Sequence, residues 1–262
     1  MHWETLSFEK QDEIGILTLN RPKSLNAMNL KMGKEFAEFV NYLQNEQNVK
    51  VLILRGQGPS FCSGGDIKST FNMYVAPPAK VQQNAMDFYK SFLTVRSLDI
   101  PTIAVIHGHT VGAGLCLAMA CDMRIASTDT KLSMSFIKVG ISPGMGGTYF
   151  LPRLIGTAKA MEMCLLGETI DAKQALQIGL VNHLVAPEKL TDFSLNFAGR
   201  IAKNPTVAVR LIKKAIYQGL NKDLDAALTL EALSQATCSS TGDVKEAITA
   251  FNEKRSPDFK QS

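Results

Sequence analysis

Residues 100–121 contain no Asp, Glu, Lys or Arg. An uncharged run of that length has to leave water, either in a bilayer or inside a protein. Pro101 stands at its start, and His107, Gly108, His109, Gly112 and Gly114 break its middle. Those breaks suit a strand, a turn and a short buried helix better than a membrane span. The run therefore predicts a strand over 102–106, a turn at Gly112-Ala113-Gly114 and a helix over 115–121, with no membrane association.

A second glycine cluster, Phe61-Cys62-Ser63-Gly64-Gly65-Asp66-Ile67-Lys68, follows another apolar run at 49–54. Glycine lets the chain turn sharply and leaves its N–H groups accessible. Two such turns facing each other can hold one carbonyl oxygen between a pair of backbone donors. The second turn adds the positive end of a helix. That is the description of an oxyanion hole.

The rest of the chain reads as an α/β core followed by helices. Two strands at 5–10 and 13–20 form a hairpin, and a helix over 30–45 carries Met32, Phe36, Phe39, Val40 and Leu43 on one face. After Pro77-Pro78, Val81, Ala85, Phe88, Phe92 and Val95 recur at helical spacing. Short strands are expected at 123–126 and 132–134. Beyond Gly147, helices are expected at 158–166, 172–179, 188–203, 206–219, 224–237 and 244–253, with 181–185 the one strand among them. This divides the chain into an α/β core at 1–203 and a helical region at 204–262.

Composition excludes several classes. The 262 residues are 45% hydrophobic and 20% charged, enough for a sizeable core. The net charge of +4 comes from scattered Lys and Arg, whereas a nucleic-acid surface needs them clustered. Five cysteines without a Cys-x-x-Cys pair fit a reduced, cytoplasmic setting. Four histidines without a His-x-x-x-His pattern give no zinc site, and the N-terminal Met1-His2-Trp3-Glu4 does not read as a signal peptide. Gly140-Ile141-Ser142-Pro143-Gly144 matches the nucleophile elbow of serine hydrolases. There the residue after the serine donates its N–H to the oxyanion, and Pro143 has none, so a plain turn is the better reading. His107 and His109 read as turn histidines, and no nucleotide-binding glycine motif stands in the right context.

Several segments together resemble the enoyl-CoA hydratase/isomerase, or crotonase, superfamily. They are residues 61–68, Ile-Pro-Thr-Ile-Ala-Val at 100–105, Gly112-Ala113-Gly114 and the helix ending Ala120-Cys121-Asp122. Asn20–Ala27, Gly144-Met145-Gly146-Gly147-Thr148, Leu166-Gly167-Glu168, Gly179-Leu180-Val181 and Lys254–Phe259 extend the likeness over essentially the whole chain. Residues 150–156 and Lys254-Arg255-Ser256-Pro257 look closest to the ring-epoxide isomerases of phenylacetate degradation.

The resemblance implies a spiral of ββα turns, a C-terminal helical region that builds homotrimers or dimers of trimers, and an acyl-CoA thioester substrate. It implies no resident cofactor, since coenzyme A arrives as part of the substrate. Gly65 and Ala113 would supply the oxyanion-hole N–H groups. Lys23 and Lys68 would meet the phosphates, and the main chain at Leu25, Ser63, Asp66 and Ile67 the pantetheine and adenine. Phe259 and Lys260 would close the adenine site. The usual glutamate positions fall on Cys116 and Phe136, and the epoxide-isomerase aspartate position on Gly144.

Without those carboxylates, water addition lacks an acid/base pair, while enolate stabilisation by main-chain donors remains. Isomerisation then ranks ahead of hydration. Decarboxylation of a malonyl-type ester and a binding-only homologue are the alternatives. Ser135, Ser142, Cys116 and a residue within 71–89 are the candidates for the base.

Overall fold

The structure, a computed structural model, describes residues 3–46 and 48–259, and of residues 70–73 the backbone only. The hairpin forms as expected. Strands β1 (Leu6–Gln11) and β2 (Ile14–Leu19) pair antiparallel from Leu6↔Leu19 to Gln11↔Ile14, and Asp12 takes a positive φ of 52° at the turn. Helix α1 (Leu30–Gln44) follows, capped by the Asn29 side chain on the Met32 N–H. Next come β3 (Val51–Gly56), α2 (Ile67–Tyr74), α3 (Pro78–Leu93), β4 (Thr102–Ile106), β5 (His109–Val111), α4 (Ala113–Ala120), β6 (Met123–Ser127) and β7 (Lys131–Ser133). Helices α5 (Gly147–Ile155) and α6 (Thr157–Leu166) lead to β8 (Thr169–Asp171), α7 (Ala172–Gln177), β9 (His183–Val185) and α8 (Leu190–Ala202). The chain then runs through α9 (Thr206–Gly219), α10 (Leu224–Ser239) and α11 (Gly242–Asn252).

One six-stranded sheet has the order β1-β2-β3-β4-β6-β9, parallel except for the hairpin. A three-stranded sheet, β5-β7-β8, stands beside it. The large sheet is covered on both faces, which explains why its strands read as nearly unbroken apolar runs. Leu17, Leu52, Leu54, Ala104 and Ile106 pack with α1, α3 and α4, while Ile16, Val51, Ile53, Ile103 and Val105 pack with α8.

The structure adds β5 and α2, which the residue pattern does not mark, and corrects two expectations beyond Gly147. β8 adds a second strand beyond Gly147; it has three residues with only Ile170 buried, too few to show an alternation. α5 also forms, across glycines and Pro152 that mask its pattern. Its first turn is held by Phe150 N–H donating to the Gly146 carbonyl at 2.8 Å.

Helix α9 is tied to the core by an ion pair of Lys213 with Asp122 at 2.8 Å and by the Tyr217 hydroxyl donating to Asp122 at 2.7 Å. α10 packs on α9 and buries no residue, leaving Leu224, Leu228 and Leu233 exposed, as are Ile248 and Phe251 on α11. Among the described residues, no helix is long and apolar enough to cross a membrane, and no group of His, Cys, Asp and Glu has metal-site geometry. The uncharged run at 102–121 divides into β4, β5 and α4.

Candidate active site

The two glycine clusters meet, and backbone pairing brings them together. Cys62 N–H donates to the His109 carbonyl at 3.1 Å, and Val111 N–H donates to the Cys62 carbonyl at 3.0 Å. Gly114 then packs directly on Cys62: a Cβ at 114 would lie 2.4 Å from the Cys62 carbonyl oxygen. On the far side, Met28 N–H donates to the Gly64 carbonyl and Asp66 N–H to the Met28 carbonyl, each at 2.8 Å.

The Asn20–Ala27 segment is the frame for this arrangement. Leu25 and Asn26 adopt positive φ of 50° and 55°. The buried Asn26 amide donates to the Gln57 and Ser60 carbonyls, at 2.9 and 2.8 Å, and its oxygen accepts the Arg21 N–H at 2.8 Å. Arg21 reaches Asp66 in an ion pair of 2.9 Å, and Asp66 also caps α2 at the Ser69 N–H. Arg21 and Asn26 are thus structural members that the sequence marked only as part of a motif.

The direction of the two donors follows from trans peptide geometry, in which C=O and the next N–H point oppositely. No peptide bond among the described residues is cis. The Gly64 carbonyl points at Met28, so the Gly65 N–H points away from it. The Gly112 carbonyl accepts the Cys116 N–H at 3.0 Å, so the Ala113 N–H projects from the N-terminal end of α4. Gly112 holds this corner with φ 52° and ψ −117°, a conformation that suits glycine. Among the described residues, neither N–H has an acceptor. A Cβ on Gly64 would lie 3.8 Å from the Ala113 nitrogen, so the turns are in contact.

Both turns line one cavity of about 290 Å3, walled otherwise by Ile67, Phe88, Val139, Ile141 and Met145 among others. Its polar side chains, among the described lining residues, are Ser63, Tyr74, Tyr89 and Ser135. None of the described lining residues is Asp, Glu, His, Lys or Arg.

The structure disperses the other predicted residues. Phe136 lines the cavity, half-buried. Cys116 is fully buried behind it, with its thiol donating to the Gly144 carbonyl at 3.4 Å, and burial pushes that thiol well above its ordinary pKa. Gly144 is buried beneath the Tyr89 ring. Ser135 lines the cavity, whereas Ser142 is exposed and lies outside its described lining. Lys23 and Lys68 are exposed, and Ser63 N–H donates to the Leu25 carbonyl at 3.0 Å, so that donor is engaged within the frame. Phe259 is half-buried, and Lys260 lies outside the described residues. His107 accounts for itself as a turn residue, with Nε2 2.8 Å from the Gly58 carbonyl oxygen, and His109 is exposed.

A larger cavity, about 560 Å3, lies under α9 and shares no lining residue with the first. Of its charged groups, Lys213 pairs with Asp122, which also accepts from Tyr217; Arg124 donates to the Leu180 and Cys121 carbonyls, Arg153 donates to the Tyr149 carbonyl, and Arg96 lies over the Phe150 and Tyr217 rings.

A family model described as Enoyl-CoA hydratase/isomerase matches residues 9–262. The chain is 37% identical over 264 residues to a crotonyl-CoA hydratase of Syntrophomonas wolfei, spanning 99% of each. It is 35% identical over 244 residues to a 1,2-epoxyphenylacetyl-CoA isomerase of Escherichia coli, spanning 93% of each. The crystal structure of an enoyl-CoA hydratase from Bacillus anthracis superposes with a TM-score of 0.93 at 33% identity, over 99% of this chain and 100% of that one.

Proposed function

The chain belongs to the enoyl-CoA hydratase/isomerase family, and on that premise we propose that it holds an acyl-CoA thioester by its carbonyl oxygen, between the N–H groups of Gly65 and Ala113. Charge developing on that oxygen is stabilised there, so an enolate forms at the neighbouring carbon. A single such donor is worth about a hundred- to a thousand-fold in rate. The thioester arrives on coenzyme A; Lys23 and Lys68, both exposed, are the proposed partners of its phosphates, and no resident cofactor takes part.

One observation carries the ranking of reactions: the cavity beside these donors has no carboxylate or imidazole among its described lining residues. Positioned acid–base groups contribute about a hundred- to ten-thousand-fold, and water addition needs them at both carbons. Double-bond isomerisation through the enolate moves one proton between two carbons and adds no water, so one proton-carrying group suffices and it ranks ahead of hydration. The same observation favours, as a second reading, loss of carbon dioxide from a malonyl-type thioester, since that forms the enolate without a base.

A panel of 2-enoyl-, 3-enoyl- and malonyl-type CoA esters separates these. Isomerisation of the 3-enoyl esters is the expected result. Water addition at ordinary enzyme rates overturns the ranking, carbon dioxide release selects the second reading, and tight binding without turnover leaves an acyl-CoA-binding homologue. The exposed apolar residues of α10 and α11, including Leu228, Leu233 and Phe251, support assembly into a homotrimer or a dimer of trimers.

A further inference from the structure

Helix α3 is fixed by Phe88 and Phe92, which are buried against each other with ring centroids 5.1 Å apart and against Phe36 of α1, 5.5 Å from Phe92. That anchorage sets the neighbouring Tyr89 into the cavity wall. Its phenol lies directly over Gly144: a Cβ there would stand 2.3 Å from Oη and 2.7 Å from Cζ. Gly144 does not have a positive φ, so its backbone does not demand glycine; the space above it is filled by the phenol. The Gly144 carbonyl in turn accepts the Cys116 thiol. Tyr89 thus sits over one of the three positions where family resemblance places carboxylates, with Cys116 behind it and Phe136 on the same cavity. Among the described residues, its hydroxyl has no hydrogen-bond partner.

We propose that Tyr89 is a catalytic residue of this site, the group that delivers a proton to the α-carbon of the bound enolate. The proposal rests on the enolate reading given above. In the step, the Oη–H bond breaks and a C–H bond forms with the electron pair of the enolate double bond. The carbonyl re-forms, and its negative charge leaves the two N–H donors. The phenolate that remains takes a proton from water. In the reverse direction the phenolate removes the same α-proton. Burial, with Tyr74 and Cys116 nearby, pushes the phenol above its ordinary pKa, so the neutral donor is the resting form and removal of the α-proton by the phenolate gains as pH rises.

The test uses the full-length protein with butyryl-CoA in deuterium oxide, reading deuterium entry at the α-carbon by mass spectrometry. A cinnamoyl-CoA, whose absorbance moves to the red when its carbonyl is polarised, reports the two backbone donors separately. The wild-type protein is expected to give both signals. Tyr89→Phe keeps the ring over Gly144 and is expected to keep the red shift while exchange falls about a hundred-fold or more. Replacing Tyr89 by a difluorotyrosine, more acidic at nearly the same shape, is expected to move the pH profile of exchange downward. Exchange at the wild-type rate in Tyr89→Phe, or an unmoved profile with the fluorinated residue, overturns the proposal. Joint loss of exchange and red shift in Tyr89→Phe also overturns it, by assigning the ring a packing role. A red shift without exchange in the wild type overturns the proton-transfer step and leaves the backbone donors standing. Absence of both in the wild type removes the enolate reading itself.

Discussion

The phenolic oxygen of Tyr89 lies 2.3 Å from the point where a Cβ on Gly144 would stand. The two residues are therefore coupled: a side chain at 144 requires the phenol of Tyr89 to move. Gly144→Ala is expected to displace the phenol from the cavity, destabilising the fold by about 1–3 kcal/mol and lowering turnover at least tenfold. In a Tyr89→Ala background the three nearest contacts of that Cβ, all from the phenol, are gone and the same change is expected to cost less than about 0.5 kcal/mol more. Denaturant midpoints of the four proteins check this, and additive costs would count against the pairing.

Ala113 opens α4, where proline fits because the first helical N–H has no partner inside the helix. Ala113→Pro is expected to leave the helix in place and remove one donor. Turnover should fall about a hundred- to a thousand-fold. Circular dichroism confirms the fold, and an unchanged rate in a folded protein would sink the assignment.

Gly114 is where the two turns touch. Its Cβ would stand 2.4 Å from a backbone oxygen and 2.8 Å from the Sγ, both of Cys62. Gly114→Ala is expected to push the turns apart, at about 1–3 kcal/mol in stability and with loss of activity. Gly65→Ala meets no atom within 4 Å and is the contrast, expected to leave stability unchanged. Thermal melts of both variants decide it.

Glu35 on α1 ties the chain start to the core, accepting hydrogen bonds from Thr5 N–H at 2.8 Å, the Thr5 hydroxyl at 2.5 Å and Glu4 N–H at 3.2 Å. Burial alone raises its pKa; the Thr5 and Glu4 hydrogen bonds and the Lys31 charge outweigh it and hold the carboxyl below its ordinary 4.5. A depressed carboxylate stabilises the fold above the unfolded-state value, and that contribution is lost as pH falls from 4.5 through the folded-state value. Glu35→Gln is expected to be less stable at pH 7 and to show a shallower loss below pH 4.5. Urea midpoints against pH give the curve; parallel curves for the two proteins would refute the linkage.

Periodicity and punctuation, which are local, settled most of the architecture. The unbroken apolar runs of β3 and β4 mark a sheet covered twice, and the Phe36, Phe39, Leu43 spacing marks the inner face of α1. The glycine clusters announced two turns with free donors, because the φ of 107° at Gly64, the φ 52° and ψ −117° pair at Gly112 and the approach of Gly114 to Cys62 all favour a residue without Cβ. Short elements such as β8 escaped because three residues carry no period, and α5 because Pro152 and its glycines resemble a break.

Tertiary packing alone decided that the Tyr89 phenol stands over Gly144 in the cavity wall. Tyr89 sits beside Phe88 in an ordinary helical stripe, and nothing in that stripe points to Gly144. The aromatic contacts that seat α3 against α1 orient the phenol, and they join residues distant in sequence. Local patterns determine which segments form and which faces they bury; the meeting of two side chains on different elements depends on how those elements dock.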